Sequence, residues 1–177
     1  MWNGRNRVAT AMQHQQPDRV PVFCQLALGH YFLHAGLPTE DIWFTSDGFA
    51  QALVTLQRRY RFDGILVNIP GRPQNLLQRV KRIERTSDGT RLVWETGEMT
   101  IVPPDDNPHH YGPDGGSLPR ADFDTMNPDA LDSVAQYGGY VWNIYHVPPL
   151  CDAAPPTLDS PIPACFHRTI ELIKSMT

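Results

Sequence analysis

Histidines standing close to carboxylates, and cysteines that could hold a metal, are the residues here whose type and spacing suggest chemistry. His109-His110 follow Asp105 and Asp106, and imidazole with carboxylate is a common ligand set for zinc or iron. Adjacent side chains on an extended or looped backbone diverge, so one ion would not take both histidines, and a solvated polar loop is the simpler reading. His146 and Cys151 flank Val147-Pro148-Pro149-Leu150, but no second pair at ligand spacing supports them. The cysteines, Cys24, Cys151 and Cys165, are odd in number and widely spaced. They fit neither a disulfide framework nor a metal knuckle and read as reduced, buried thiols. His30 opens a short helical pattern, where backbone or water could satisfy it or where it could meet a ligand. No nucleophile elbow, phosphate loop or dinucleotide fingerprint is present.

The elements that would position these residues follow from periodicity and punctuation. Val8 and Met12 form an i,i+4 pair that predicts a short surface helix over 5–14, closed by Pro17. Gln16-Pro17-Asp18-Arg19-Val20-Pro21 then leads into an apolar run, Val20 to Leu26, which reads as a first strand buried on both faces. Asp18 and Arg19 read as a structural pair fixing that turn. A helical turn over 29–38 is closed by Gly36 and Pro38. Ser46 then caps a longer helix with Phe49, Leu53, Leu56 and Tyr60 on one face.

A second strand is expected from Gly64 to Ile69, ended by Pro70-Gly71-Arg72-Pro73. Strand, helix and strand at this spacing indicate a parallel sheet with a right-handed crossover. Residues 76–83 could form a short helix. Lys81–Thr86 and Arg91–Thr96 flank Ser87-Asp88-Gly89-Thr90, a hairpin signal, and a third antiparallel strand is expected at 98–102. Residues 103–119 read as an irregular loop, with a helix capped by Asp124 or Asn127 after it. The run Tyr140 to Val147, a proline-dense linker and a last helix over 166–176, with Ile170 and Ile173 on its apolar side, complete the pattern. The division is thus one domain over 1–177: a strand–helix–strand unit at 5–71, a hairpin at 83–102, a loop-rich segment at 103–163 and a terminal helix at 166–177.

A net charge of -4 gives no electrostatic footprint for nucleic acid. The 17 prolines and 13 glycines require many turns, which fits the loop-heavy pattern. No apolar run reaches the roughly 20 residues that span a bilayer, and the start lacks the apolar core of a signal peptide. No membrane association is therefore expected, and a cytoplasmic location is.

Arg7-Val8-Ala9-Thr10-Ala11-Met12, Gln16-Pro17-Asp18-Arg19-Val20-Pro21-Val22, Ala35-Gly36-Leu37 and Tyr60-Arg61-Phe62-Asp63-Gly64-Ile65 together resemble the N-terminal part of the uroporphyrinogen decarboxylase superfamily. The superfamily also contains corrinoid-dependent methyltransferases. The resemblance runs over residues 5–71 and more loosely beyond. It implies an α/β fold, here a partial (β/α)8 barrel with an inserted β-hairpin and proline-rich loops, because 177 residues fall short of the roughly 250 of a complete barrel. Barrel sites form at the C-terminal ends of the strands. That makes Gln25, Gly29 and His30 candidates after the first strand, and Asn68 and Arg72 after the second.

Decarboxylases of this kind follow the first strand with an arginine-bearing stretch and end the second with aspartate. Here the first strand continues Phe23-Cys24-Gln25-Leu26-Ala27-Leu28-Gly29-His30 and the second ends Asn68-Ile69-Pro70. A polyanionic tetrapyrrole would meet no guanidinium fork at this mouth, so uroporphyrinogen-type decarboxylation is the weaker alternative. The resemblance leans toward the methyltransferase branch, in which zinc activates a thiol to accept a methyl group from a corrinoid. That branch holds zinc with a His-x-Cys pair and a distant cysteine, and this chain has no His-x-Cys. Zinc would then need ligands from another chain, and cobalamin or a related corrinoid would be reached through a partner. The expectation is a barrel opening, a fragment or short subunit, inactive alone. It would contribute Gln25, His30, Asn68 and Arg72 to a small-molecule pocket completed by another chain or a second copy. A non-catalytic scaffold that completes a partner's barrel is the alternative from another class.

Overall fold

The computed structural model describes residues 2–23, 25–67, 72–116 and 164–177, with side chains in the last segment from 167 onward. The fold is mixed α/β: a four-stranded antiparallel sheet and, among the described residues, five α-helices. Cys24, Asn68, the helix expected near 124–134, the run 140–147, His146 and Cys151 lie outside the described residues, as does the side chain of Cys165.

Helix α1 spans Gly4–Met12 and begins where the Asn3 side chain accepts a hydrogen bond from the Asn6 N–H at 2.8 Å. The chain leaves it through His14, whose φ of 56° is left-handed, so the helix stops before Pro17 acts. Helix α2 spans Leu28–His34 and gives way to Gly36 at φ 71°. Helix α3, Thr39–Phe44, was not signalled by apolar periodicity. Its polar start, Thr39-Glu40-Asp41, is followed by Ile42, Trp43 and Phe44, all buried.

Helix α4 runs Ser46–Tyr60. Thr45, not Ser46, caps it: its Oγ1 accepts from the Gly48 N–H at 2.9 Å and donates to the Asp41 carbonyl at 2.7 Å. Ser46 instead turns inward and accepts from the Arg72 N–H at 2.8 Å. Phe49, Leu53 and Leu56 are buried as the i, i+4, i+7 spacing requires, while Tyr60 is partly exposed. Helix α5, Ala164–Met176, packs along α4, and Ile173 reaches the core.

The expected helix over 76–83 is only a 3₁₀ turn at Leu76–Arg79, because strand pairing takes over at Val80. Strands β1 (Val80–Thr86), β2 (Gly89–Trp94), β3 (Met99–Val102) and β4 (His109–Tyr111) form a meander in that order. The expected hairpin forms, but Thr86 pairs with Gly89 across a two-residue turn, Ser87-Asp88, one residue earlier than an Asp88-Gly89 turn, and Gly89, at φ 126°, opens β2. Alternation puts Thr90, Leu92, Trp94, Thr100, Val102 and His110 on one buried face. β4 corrects the reading of 103–119 as an irregular loop: a buried His110 opposite Thr100 supplies the inward contact that holds a three-residue edge strand. Phe44 meets Trp94 edge-on, ring centroids 5.4 Å apart, and joins the helical layer to the sheet.

The two strands expected at 20–26 and 64–69 are represented by a single parallel bridge, Phe23 to Gly64. The first does not have the burial on both faces expected of it, Val20 being 79% exposed and Phe23 52%; Leu26, Ile65 and Val67 pack against the core, while Leu66 is 43% exposed. Tyr31 of α2 and Leu53 and Leu56 of α4 lie against Leu26 and Ile65, so one face is covered and the other is open among the described residues.

Candidate functional site

The turn that opens the first extended segment is held by charge. Arg7 on α1 grips Asp18 with a two-pronged contact, Nε to Oδ1 at 2.7 Å and Nη2 to Oδ2 at 2.9 Å, and its Nη1 reaches Asp63 at 3.0 Å. Arg19 takes both Asp63 oxygens at 2.8 Å. The Val22 N–H donates to Asp63 Oδ2 at 2.9 Å, and the Asp63 N–H donates to the Val22 carbonyl at 2.9 Å. Asp18 and Arg19 are therefore structural, as expected. Their carboxylate and guanidinium partner Arg7 and Asp63, while the Arg19 N–H donates to Asp18 at 3.0 Å.

Burial would raise the Asp63 carboxyl, but the Val22 N–H and the two arginines outweigh it and hold the group below the usual carboxylate range. Asp18 is lowered by its hydrogen bonds to Arg7, and Arg7 is raised by the same bonds and by Asp63.

His30 lies on α2, where its Nε2 is 2.8 Å from the Tyr60 hydroxyl at the end of α4. Its ring is 4.3 Å from that of His34, one helical turn on. Arg59 lies over the Tyr60 ring at 5.7 Å. Burial, then the neighbouring His34 and Arg59, push His30 below its ordinary value, so it is neutral at neutral pH. None of its contacts is to Gln25 or Arg72.

Arg72 is buried, its guanidinium 4.5 Å from the centre of the Trp43 ring and its Nε donating to the Trp43 carbonyl at 2.7 Å. With its backbone bonded to Ser46, it ties the chain after the second segment to α3 and α4. Gln25 is exposed on the first segment, and Asn68 is outside the described residues. The four expected pocket residues are thus an exposed glutamine, an engaged histidine, a core arginine and one undescribed position.

Of the paired histidines, His109 is half-exposed and His110 fully buried, so they diverge. His110 Nδ1 lies 2.7 Å from Thr100 Oγ1, which accepts from Trp94 Nε1 at 2.8 Å. No group of three or more His, Cys, Asp and Glu side chains able to hold a metal occurs among the described residues. None of the described helices is long and apolar enough to cross a membrane.

A groove of about 750 Å³ opens between the start of α1, the segment 62–67 and α5, within the 300–1,000 Å³ range of ligand sites. Ile65, Val67, Ile170 and Ile173 give it an apolar wall, and exposed Arg5 and Arg58 border it. The sequence reading did not reach Asp63 as a hub, nor the grouping of His34, Tyr60 and Arg59 around His30. The i,i+4 spacing of His30 and His34 was the available signal for the second. Set against known protein families, curated proteins and solved structures, the chain matches none.

Proposed function

We propose that this chain forms the opening of a (β/α)8 barrel of the kind found in the uroporphyrinogen decarboxylase superfamily, on its methyltransferase side. It would contribute one wall of a small-molecule pocket whose other walls come from further polypeptide. The observation that supports this best is the parallel bridge Phe23–Gly64, with α2, α3 and α4 lying between its two segments in sequence and α5 packed along α4. With the antiparallel meander β1–β4 read as an insertion before α5, that corresponds to the order strand, helices, strand, helix of such a barrel. In such a barrel a third strand lies beside the second and beneath the helix that precedes it. In this reading the groove walled by Ile65, Val67, Ile170 and Ile173 would receive that strand, and Leu66 is exposed beside it. A second chain or another copy supplying an apolar strand would cover these side chains.

Methyl transfer to a thiol from a corrinoid carried by a partner is the activity this reading implies, with zinc held by residues of another chain. The test is to isolate the chain with whatever copurifies, measure bound zinc, and follow methylcobalamin demethylation with a thiol present. Turnover dependent on this chain supports the proposal, and a completed complex with neither zinc nor turnover refutes its catalytic part. A second reading, a scaffold that completes a partner's barrel without chemistry, is favoured by the engagement of Arg72 with Trp43 and Ser46, which takes one expected pocket residue into the core. Porphyrinogen turnover by the complex would instead support decarboxylation.

A further inference from the structure

The geometry points to a binding site for one divalent transition-metal ion at His30, His34 and Tyr60. Residues four apart on a helix stand one above the other, and paired histidines at this spacing are a recurrent way for a helix to chelate zinc. The His30 and His34 rings are 4.3 Å apart on α2, and both side chains are partly accessible, so an ion can arrive from solvent. The Tyr60 hydroxyl, 2.8 Å from His30 Nε2, provides an oxygen on the same side. In a tetrahedron with metal–ligand bonds near 2.0–2.1 Å, donor atoms stand about 3.3 Å apart. The His30–Tyr60 separation therefore needs to open by only about half an ångström for both atoms to ligate.

Two imidazoles and a phenol oxygen select borderline ions, zinc, copper(II) or nickel, over magnesium or calcium. Water would fill the fourth position. The Arg59 guanidinium over the Tyr60 ring opposes a dication, and among the described residues no carboxylate contacts His30. Affinity should accordingly be modest, and the site would respond to metal supply rather than hold its ion permanently. This inference stands apart from the barrel proposal, since it uses only α2 and the end of α4.

The test is titration of the full chain, free of any affinity tag, with Zn²⁺ by calorimetry and with Co²⁺ by visible absorption. One ion per chain and a tetrahedral Co²⁺ spectrum are expected. His34→Gln and His30→Gln should each weaken binding about tenfold or more, and Tyr60→Phe should alter the Co²⁺ spectrum. Among the described residues the His34 side chain makes no hydrogen bond, so His34→Gln should keep its circular dichroism and decides the matter if His30→Gln fails to fold. Absence of saturable binding up to millimolar metal, or binding undiminished in His34→Gln, would overturn the assignment.

Discussion

Replacing Asp63 by asparagine tests whether charge holds the two extended segments together. Three hydrogen bonds reach the carboxylate: Oδ1 receives Arg7 Nη1 and Arg19 Nη2, and Oδ2 receives the Val22 N–H, with Arg19 Nη1 in ion-pair contact with Oδ2 at 2.8 Å. Asparagine keeps one oxygen and presents an N–H₂ group in place of the other, so one or two of the three hydrogen bonds are lost, depending on which way the amide turns, and the charge is lost either way. Hydrogen bonds to a charged group contribute about 1.5–3 kcal/mol each. The Arg19 side chain is 43% exposed, so water can take over its N–H groups and the loss there is smaller. The net destabilisation expected is about 2–3 kcal/mol, a fall in Tm of roughly 4–10 °C for a chain of this size.

Because the Asp63 carboxyl is held below its usual value, the stabilisation it provides is complete above about pH 4 and disappears as pH falls through the lower folded-state value. Thermal melts followed by circular dichroism at neutral pH and through the acid range measure both effects. An asparagine variant that melts within about 0.5 kcal/mol of the parent, with the same acid limb, would refute the clamp.

His30 titrates with the opposite group charge but the same slope. Its folded value lies below the ordinary one, so the unfolded chain takes up the proton first and stability declines as pH falls below about 6.5. His30→Gln should flatten that part of the profile in melts between about pH 8 and pH 5.5. Thr100→Val keeps the shape of a fully buried side chain but strands the Trp94 indole N–H and removes a partner of His110. Chemical denaturation should show a loss of about 2–4 kcal/mol, and a neutral result would contradict the network. Gly48→Ala drives a methyl group into the Asp41 carbonyl, so α3 must shift from α4. Its Tm should fall despite alanine's better helix propensity, whereas a rise would show that the contact yields freely.

Local pattern made α4 and the hairpin legible: a 3.6-residue apolar period and an Asp-Gly signal between β-prone runs specify their own structures. α3 escaped because its polar first turn hides three large side chains whose burial depends on the sheet. β4 escaped because two histidines in a Pro, Asp and Gly context read as solvent-facing, until pairing with β3 places one of them opposite Thr100. Arg72, flanked by Gly71 and Pro73, has the look of a ligand-binding arginine, yet Trp43 offers its guanidinium a face and a carbonyl. Asp63 has no local signature, since its partners Arg7 and Arg19 lie 56 and 44 residues away in sequence. Interactions at that separation belong to the tertiary fold and leave no local pattern.

Segments 20–26 and 62–67, joined by one parallel bridge, are proposed to open a parallel sheet that other polypeptide completes. Size-exclusion chromatography with light scattering on the isolated chain tests it directly, alongside a Leu66→Lys variant. The isolated chain is expected to self-associate or to melt without cooperativity until a partner is added, and the Leu66 change to reduce association. A cooperative, well-folded monomer whose behaviour is unaltered by the change would contradict it.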